Sequence, residues 1–115
     1  MDKALLSKIL VIDDDKDILA LAKIALRKFD VCCAGSGKEG IAEASRFRPD
    51  LILLDVFMPD LNGFEVADRI HAQKATRHIP IVYLSAEEVE GLAIHKPFNP
   101  AALAKEVEEV WERCE

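Results

Sequence analysis

Leu51-Ile52-Leu53-Leu54-Asp55, set between Pro49-Asp50 and Val56-Phe57-Met58-Pro59-Asp60, is the stretch on which the fold turns. Four apolar residues bounded by turn formers read as a strand buried on both faces, the pattern of a parallel sheet. A carboxylate is rarely placed inside such a run, so Asp55 is expected to emerge at the strand's carboxyl end. In open α/β sheets that edge is where ligands bind. Ile9-Leu10-Val11-Ile12 repeats the pattern and ends in Asp13-Asp14-Asp15. Two buried strands ending in acids imply one acidic pocket, and such a pocket needs a cation.

Working outward, strand-like and helix-like segments alternate. The first strand is Lys8 to Ile12. A helix follows from Asp15 or Lys16, with Ile18, Leu21, Ala22, Ala25, Leu26 and Phe29 at helical spacing. Val31 to Ala34 is a short strand, Gly35-Ser36-Gly37 a break, and Lys38 to Arg46 a second helix. After the Leu51 strand, a loop through Pro59 and Gly63 leads to a helix over about Phe64 to Gln73. Pro80 opens Ile81-Val82-Tyr83-Leu84, and Leu92-Ala93-Ile94 is a fifth candidate strand. Asn99-Pro100 starts the last helix with a cap residue and a first-turn proline. Leu103, Val107, Val110 and Trp111 form its core stripe, Glu106 to Glu109 is a solvated run, and it ends near Glu115. Alternation of this kind gives an α/β fold with a doubly wound parallel sheet. No repeat, low-complexity tract or linker interrupts it.

Composition limits the function. The 115 residues are enough for one domain, and half are apolar. Fifteen basic against twenty-one acidic residues give a net charge of −6, the opposite of a nucleic-acid or anionic-membrane footprint. No apolar run approaches the roughly 18 residues of a membrane span, and Met1 to Lys8 lack the apolar core of a signal peptide. Cys32, Cys33 and Cys114 make neither a disulfide framework nor a zinc site; they read as reduced thiols of a cytoplasmic protein. His71, His78 and His95 read as exposed.

The chemistry-bearing residues fall at strand ends. Asp13, Asp14 and Asp55 are joined by Ser85, after Tyr83-Leu84, and by Lys96, within Lys96-Pro97-Phe98. A parallel sheet brings all of them to one edge. Carboxylates with open positions suit Mg²⁺, a hard ion that keeps several waters. A hydroxyl and an ammonium suit the oxygens of a phosphoryl group carried by Asp55, which would be the nucleophile.

This set resembles the receiver domains of two-component response regulators. The resemblance runs through Ile9 to Asp14, Ala34 to Gly40, Pro49 to Asp55, Met58 to Glu65, Ile79 to Ala86 and Lys96-Pro97-Phe98. It implies a flavodoxin-like five-stranded sheet in the order 2-1-3-4-5, with residues 1–115 as a single receiver domain. It further implies that Asp55 accepts a phosphoryl group from a histidine kinase or phosphotransfer protein. Asp14 and Asp55 would ligate Mg²⁺ directly, Asp13 through water, and Phe57 through its backbone carbonyl; Ser85 and Lys96 would contact the phosphoryl group. Such a domain signals by protein contact and is no turnover enzyme. An aspartyl phosphatase would want a second acid two residues after its nucleophile, where Phe57 stands.

The chain departs from the family between Ser85 and Lys96. Receivers carry a whole helix there; this chain has only Ala86 to His95, so that helix is absent or cut to about one turn. Six residues, Ala86 to Gly91, span at most roughly 20 Å when extended. That reaches a parallel edge strand with no slack for a helix, whereas an antiparallel return would carry Lys96 to the wrong end of the sheet. Ala93 also replaces the family's aromatic switch residue. The alternative function is therefore a pseudo-receiver, a phosphorylation-independent binding or dimerisation module. The missing helix is expected to uncover Tyr83 and Leu92 to Ile94. With Val89 as the only sizeable apolar group of Glu87 to Gly91, the segment is a poor lid, and the vacated face reads as a site for a partner or for self-association.

Overall fold

The computed structural model describes residues 5–114. Glu115 and Met1 to Ala4, on which part of the reading of the chain's two ends rests, lie outside them. Five parallel strands, β1 (Lys8–Ile12), β2 (Asp30–Ala34), β3 (Leu51–Asp55), β4 (Ile81–Ser85) and β5 (Ala93–His95), form one sheet in the order β2-β1-β3-β4-β5. Four helices, α1 (Lys16–Ala25), α2 (Gly37–Phe47), α3 (Gly63–Ala72) and α4 (Pro100–Arg113), flank it. α1 packs with α4 on one face and α2 with α3 on the other.

Strand alternation builds two cores from the same runs. Ile9, Val11, Leu51, Leu53, Val82 and Leu84 point under α1 and α4, together with Leu103, Val107 and Val110. Leu10, Ile12, Ile52 and Leu54 point the other way, under Val66 and Ile70 of α3 and Ala44 of α2. Central strands buried on both sides need the unbroken apolar runs read from the sequence.

Helix starts follow the capping chemistry. The Asp15 carboxylate accepts hydrogen bonds from the Asp17 and Ile18 amides. Ser36 accepts from Glu39 N, and Asn62 and Glu65 cap each other's backbone amides. Asn99 caps α4, with Pro100 in its first turn. α1 is shorter than its periodicity implies: it stops at Ala25, and Leu26 and Phe29 follow in a turn, although Leu26 is fully buried. Leu21, placed among its apolar positions, is exposed.

Residues 86–92 carry no helix, and β5 pairs with β4 in parallel, Tyr83 with Ala93 and Leu84 with Ile94. That register corrects one expectation. Leu92 to Ile94 do not form one uncovered surface, because adjacent strand residues face opposite sides. Ile94 shares the face of Leu84 and is buried in the α1–α4 core; Leu92 packs against that core as well. Of the residues expected to be uncovered, only Tyr83 and Ala93, both half-buried, lie on the side where a helix is missing.

Candidate functional site

The sheet's carboxyl edge gathers the acids because the strands end in register. β1 stops at Ile12, opposite Leu54 of β3, so Asp13 and Asp55 leave neighbouring strands at the same level. The Asp13 amide continues the ladder by donating to the Ala34 carbonyl at 3.1 Å. Its carboxylate accepts from the Asp15 amide at 3.0 Å, which turns the chain into α1. Asp13 is fully buried and Asp55 nearly so, while Asp14 faces solvent. One carboxylate oxygen from each of the three lies within 4.8 Å of the others.

Lys96 reaches this group from β5. Its amide donates to the Ser85 carbonyl at 2.8 Å, extending the β4–β5 pairing by one residue. Its ammonium lies 2.7 Å from Asp13 Oδ2 and 3.1 Å from Asp55 Oδ1. Burial alone would lower the Lys96 pKa, but the two carboxylates outweigh it and the value rises. Burial, reinforced by the neighbouring Asp13 charge, pushes the Asp55 carboxyl up against the opposing pull of Lys96. Three carboxylates against one ammonium leave an excess of negative charge. The donor set is all oxygen, which fits a hard divalent cation.

Ser85 is the last residue of β4, one beyond the partner of Asp55, and is buried. Its hydroxyl accepts from the Glu87 amide at 3.0 Å. Phe57, two residues past Asp55, is 70 % exposed, whereas Met58 is buried. His71, His78 and His95 are exposed and take no part.

Two residues that support the site escaped assignment from sequence. The Asp60 carboxylate, in the loop after β3, accepts from the Gly37 and Lys38 amides at 3.0 Å each, tying that loop to the first turn of α2. Gly63 donates its amide to Val56 O at 2.6 Å. A Cβ on Gly63 would sit 2.5 Å from Asp55 O and 2.9 Å from Val56 Cα. The Pro59-Asp60 and Asn62-Gly63 pairs announced turns, but not which distant backbone each would meet.

Residues 9–108 match the response regulator receiver domain. The chain is 36 % identical over 121 residues to the alkaline phosphatase synthesis transcriptional regulatory protein PhoP of Bacillus subtilis, covering 94 % of this chain and 50 % of that protein. It is 39 % identical over 87 residues to the response regulator PleD of Caulobacter vibrioides, covering 74 % of this chain and 19 % of that one. The chain thus spans half or less of the length of these curated relatives. Among solved structures, the chemotaxis protein CheY4 of Vibrio cholerae superposes with a TM-score of 0.82 at 27 % identity, over 96 % of this chain and 100 % of that one.

Proposed function

The chain belongs to the response regulator receiver domain family, and from that premise we propose that Asp55 is its phosphoacceptor. The observation that carries the reading is the bridging position of Lys96, whose ammonium contacts both Asp13 and Asp55 at the sheet's carboxyl edge. Phosphoryl transfer to a carboxylate demands positioning and charge neutralisation more than covalent help from other side chains. Asp55 attacks phosphorus through a carboxylate oxygen as the donor's own bond to phosphorus breaks. Lys96 and the Ser85 hydroxyl offer donors to the phosphoryl oxygens.

Asp13, Asp14, Asp55 and the backbone carbonyl of Phe57 would hold Mg²⁺, which when bound supplies positive charge for the phosphoryl oxygens. The clustered carboxylates, with charge in excess of the single lysine, fit that ion. The donor is a histidine kinase or phosphotransfer protein, and the domain, residues 1–115, works in the cytoplasm by protein contact rather than by turnover. No helix among the described residues is long and apolar enough to cross a membrane. With Ala93 in place of the family's aromatic switch and no helix over residues 86–92, the output leaves through the remodelled side of β4 and β5, to a partner or a second copy.

Incubation with acetyl phosphate and Mg²⁺, followed by intact-mass measurement, tests the assignment. The wild-type chain gains one phosphoryl group, and the gain disappears without Mg²⁺ and in Asp55→Asn. That variant stays folded, because a neutral isostere relieves crowding with Asp13 and Asp14. Undiminished labelling of Asp55→Asn defeats the assignment. An unlabelled wild-type chain leaves the binding-module reading in its place.

A further inference from the structure

The space beside β4 and β5 has a definite chemistry. A cleft of about 480 Å³ is lined by Ser85 and the segment Ala86 to Val89 on one side and by Ala93 and His95 of β5 on the other. Its apolar surface is small and flat: Ala86, Ala93 and a half-buried Val89. Next to it, the Tyr83 ring stands half-buried against Phe64 of α3, centroids 5.1 Å apart, and Phe64 is itself 43 % exposed. The rim is acidic. Glu87 and Glu88 line the cleft, and Glu90 follows on the same segment; all three are exposed. Burial, with the charge of Asp68 of α3 second, raises the Tyr83 pKa. No lysine or arginine lines the cleft among the described residues.

Three kinds of occupant can be weighed against these facts. A strand added to β5 would meet an edge only three residues long, too short for a useful ladder. A second copy docking face to face would set Glu87, Glu88 and Glu90 against themselves, since an isologous contact pairs each patch with its own image. A helix fits better. Three strand residues cover about 10 Å, close to two helical turns of about 5.4 Å each, and Ala93 lets a helix backbone come near.

We propose that this cleft binds an amphipathic helix of a partner protein, two or more turns long, with an apolar stripe bordered by Lys and Arg. The stripe covers Tyr83, Ala93 and Val89, and the cations meet the glutamate rim. Apolar burial in a groove supplies the affinity and the charge complementarity the orientation. The cleft borders the phosphoacceptor site at Ser85, and the two readings are tested separately: peptide binding tests the one and phosphoryl labelling the other.

The probe is a synthetic peptide of about 15 residues, with Leu at helical spacing and Lys on the flanks. It is titrated into the full chain while backbone amide resonances are followed by NMR. Saturable shifts centred on Tyr83, Val89, Ala93 and His95 are expected, weakened by salt. A peptide with Glu in place of Lys should bind at least about tenfold more weakly, as should the E88K/E90K double variant with the original peptide. Both substitutions lie on an exposed loop; if circular dichroism nevertheless reports unfolding, Val89→Asp takes their place and should weaken binding through the apolar wall. Equal binding of the Glu peptide, shifts gathered instead on the exposed Leu21 and Ile24 of α1, or no saturable binding overturns the proposal. So does a dimer seen by sedimentation that protects these same cleft residues.

Discussion

The crossing from β3 to β4 and the crossing from β4 to β5 serve the same sheet edge by opposite means. The first runs through a capped loop, α3 and a packed return, and buries Val66 and Ile70 against the sheet. The second is a bare seven-residue link with no helix. Yet Ser85 and Lys96 flank that bare link as regularly as Asp55 and Ser85 flank the full one, because each is placed by strand register rather than by the helix between. The chemistry of a doubly wound sheet depends on where its strands stop. Its helices decide what else the molecule can touch.

If that contrast is right, the first crossing tolerates little and the second much. Gly63→Ala should bring the largest loss. The new Cβ would collide with the backbone of Asp55 and Val56, which cannot yield as a flexible side chain could. A cost of about 3 kcal/mol is expected in denaturant unfolding. A neutral result would mean that the loop after β3 is as loosely held as the link after β4.

Asp60→Ala should cost about 1 kcal/mol, the usual worth of a helix cap. Here the cap comes from another loop, through the Gly37 and Lys38 amides. Hydrogen bonds from those amides, Gly37 first, hold the Asp60 carboxyl below its ordinary value. A group depressed in the folded state stabilises above its unfolded pKa and loses that contribution as pH falls through the folded one. The gap between wild type and variant should therefore be full at neutral pH and close in acid. A gap that persists in acid would show that the side chain acts by packing.

Phe57→Asn should speed loss of phosphate from Asp55 only a few-fold, measured as decay of the labelled species. Phe57 lies two residues past Asp55, and its large exposure would leave it at most a partial shield against an attacking water. An equal or slower decay rejects shielding. Val89→Asp should change stability least, within about 0.5 kcal/mol, as for surface sites without special packing. A clear loss would make Glu87 to Gly91 a packed lid and erase the contrast between the crossings.

Much of this was legible in the sequence because the deciding signals are local. Runs such as Leu51 to Leu54 name buried parallel strands, and an acid at the end of each names an edge. The shortened Ala86 to His95 interval was likewise readable from length alone. Facing was harder. Leu92 to Ile94 looked like one apolar patch until pairing with Tyr83 and Leu84 fixed which side each residue takes; a strict alternation rule, applied to three residues, would have separated Ala93 from Ile94. The roles of Asp60 and Gly63 lay beyond local reading, since each depends on a backbone segment brought near only by the completed fold.

The short link also changes how the sheet can assemble. Tyr83 pairs with Ala93 ten residues on, whereas Ile9 pairs with Leu51 forty-two residues on. Loop-closure entropy grows with the logarithm of that separation, so the β4–β5 closure is cheaper by about 1.3 kcal/mol. A parallel pair, ordinarily among the slowest contacts to form, has here become nearly as local as a hairpin. Deleting a helix has lowered the contact order of the sheet's own edge.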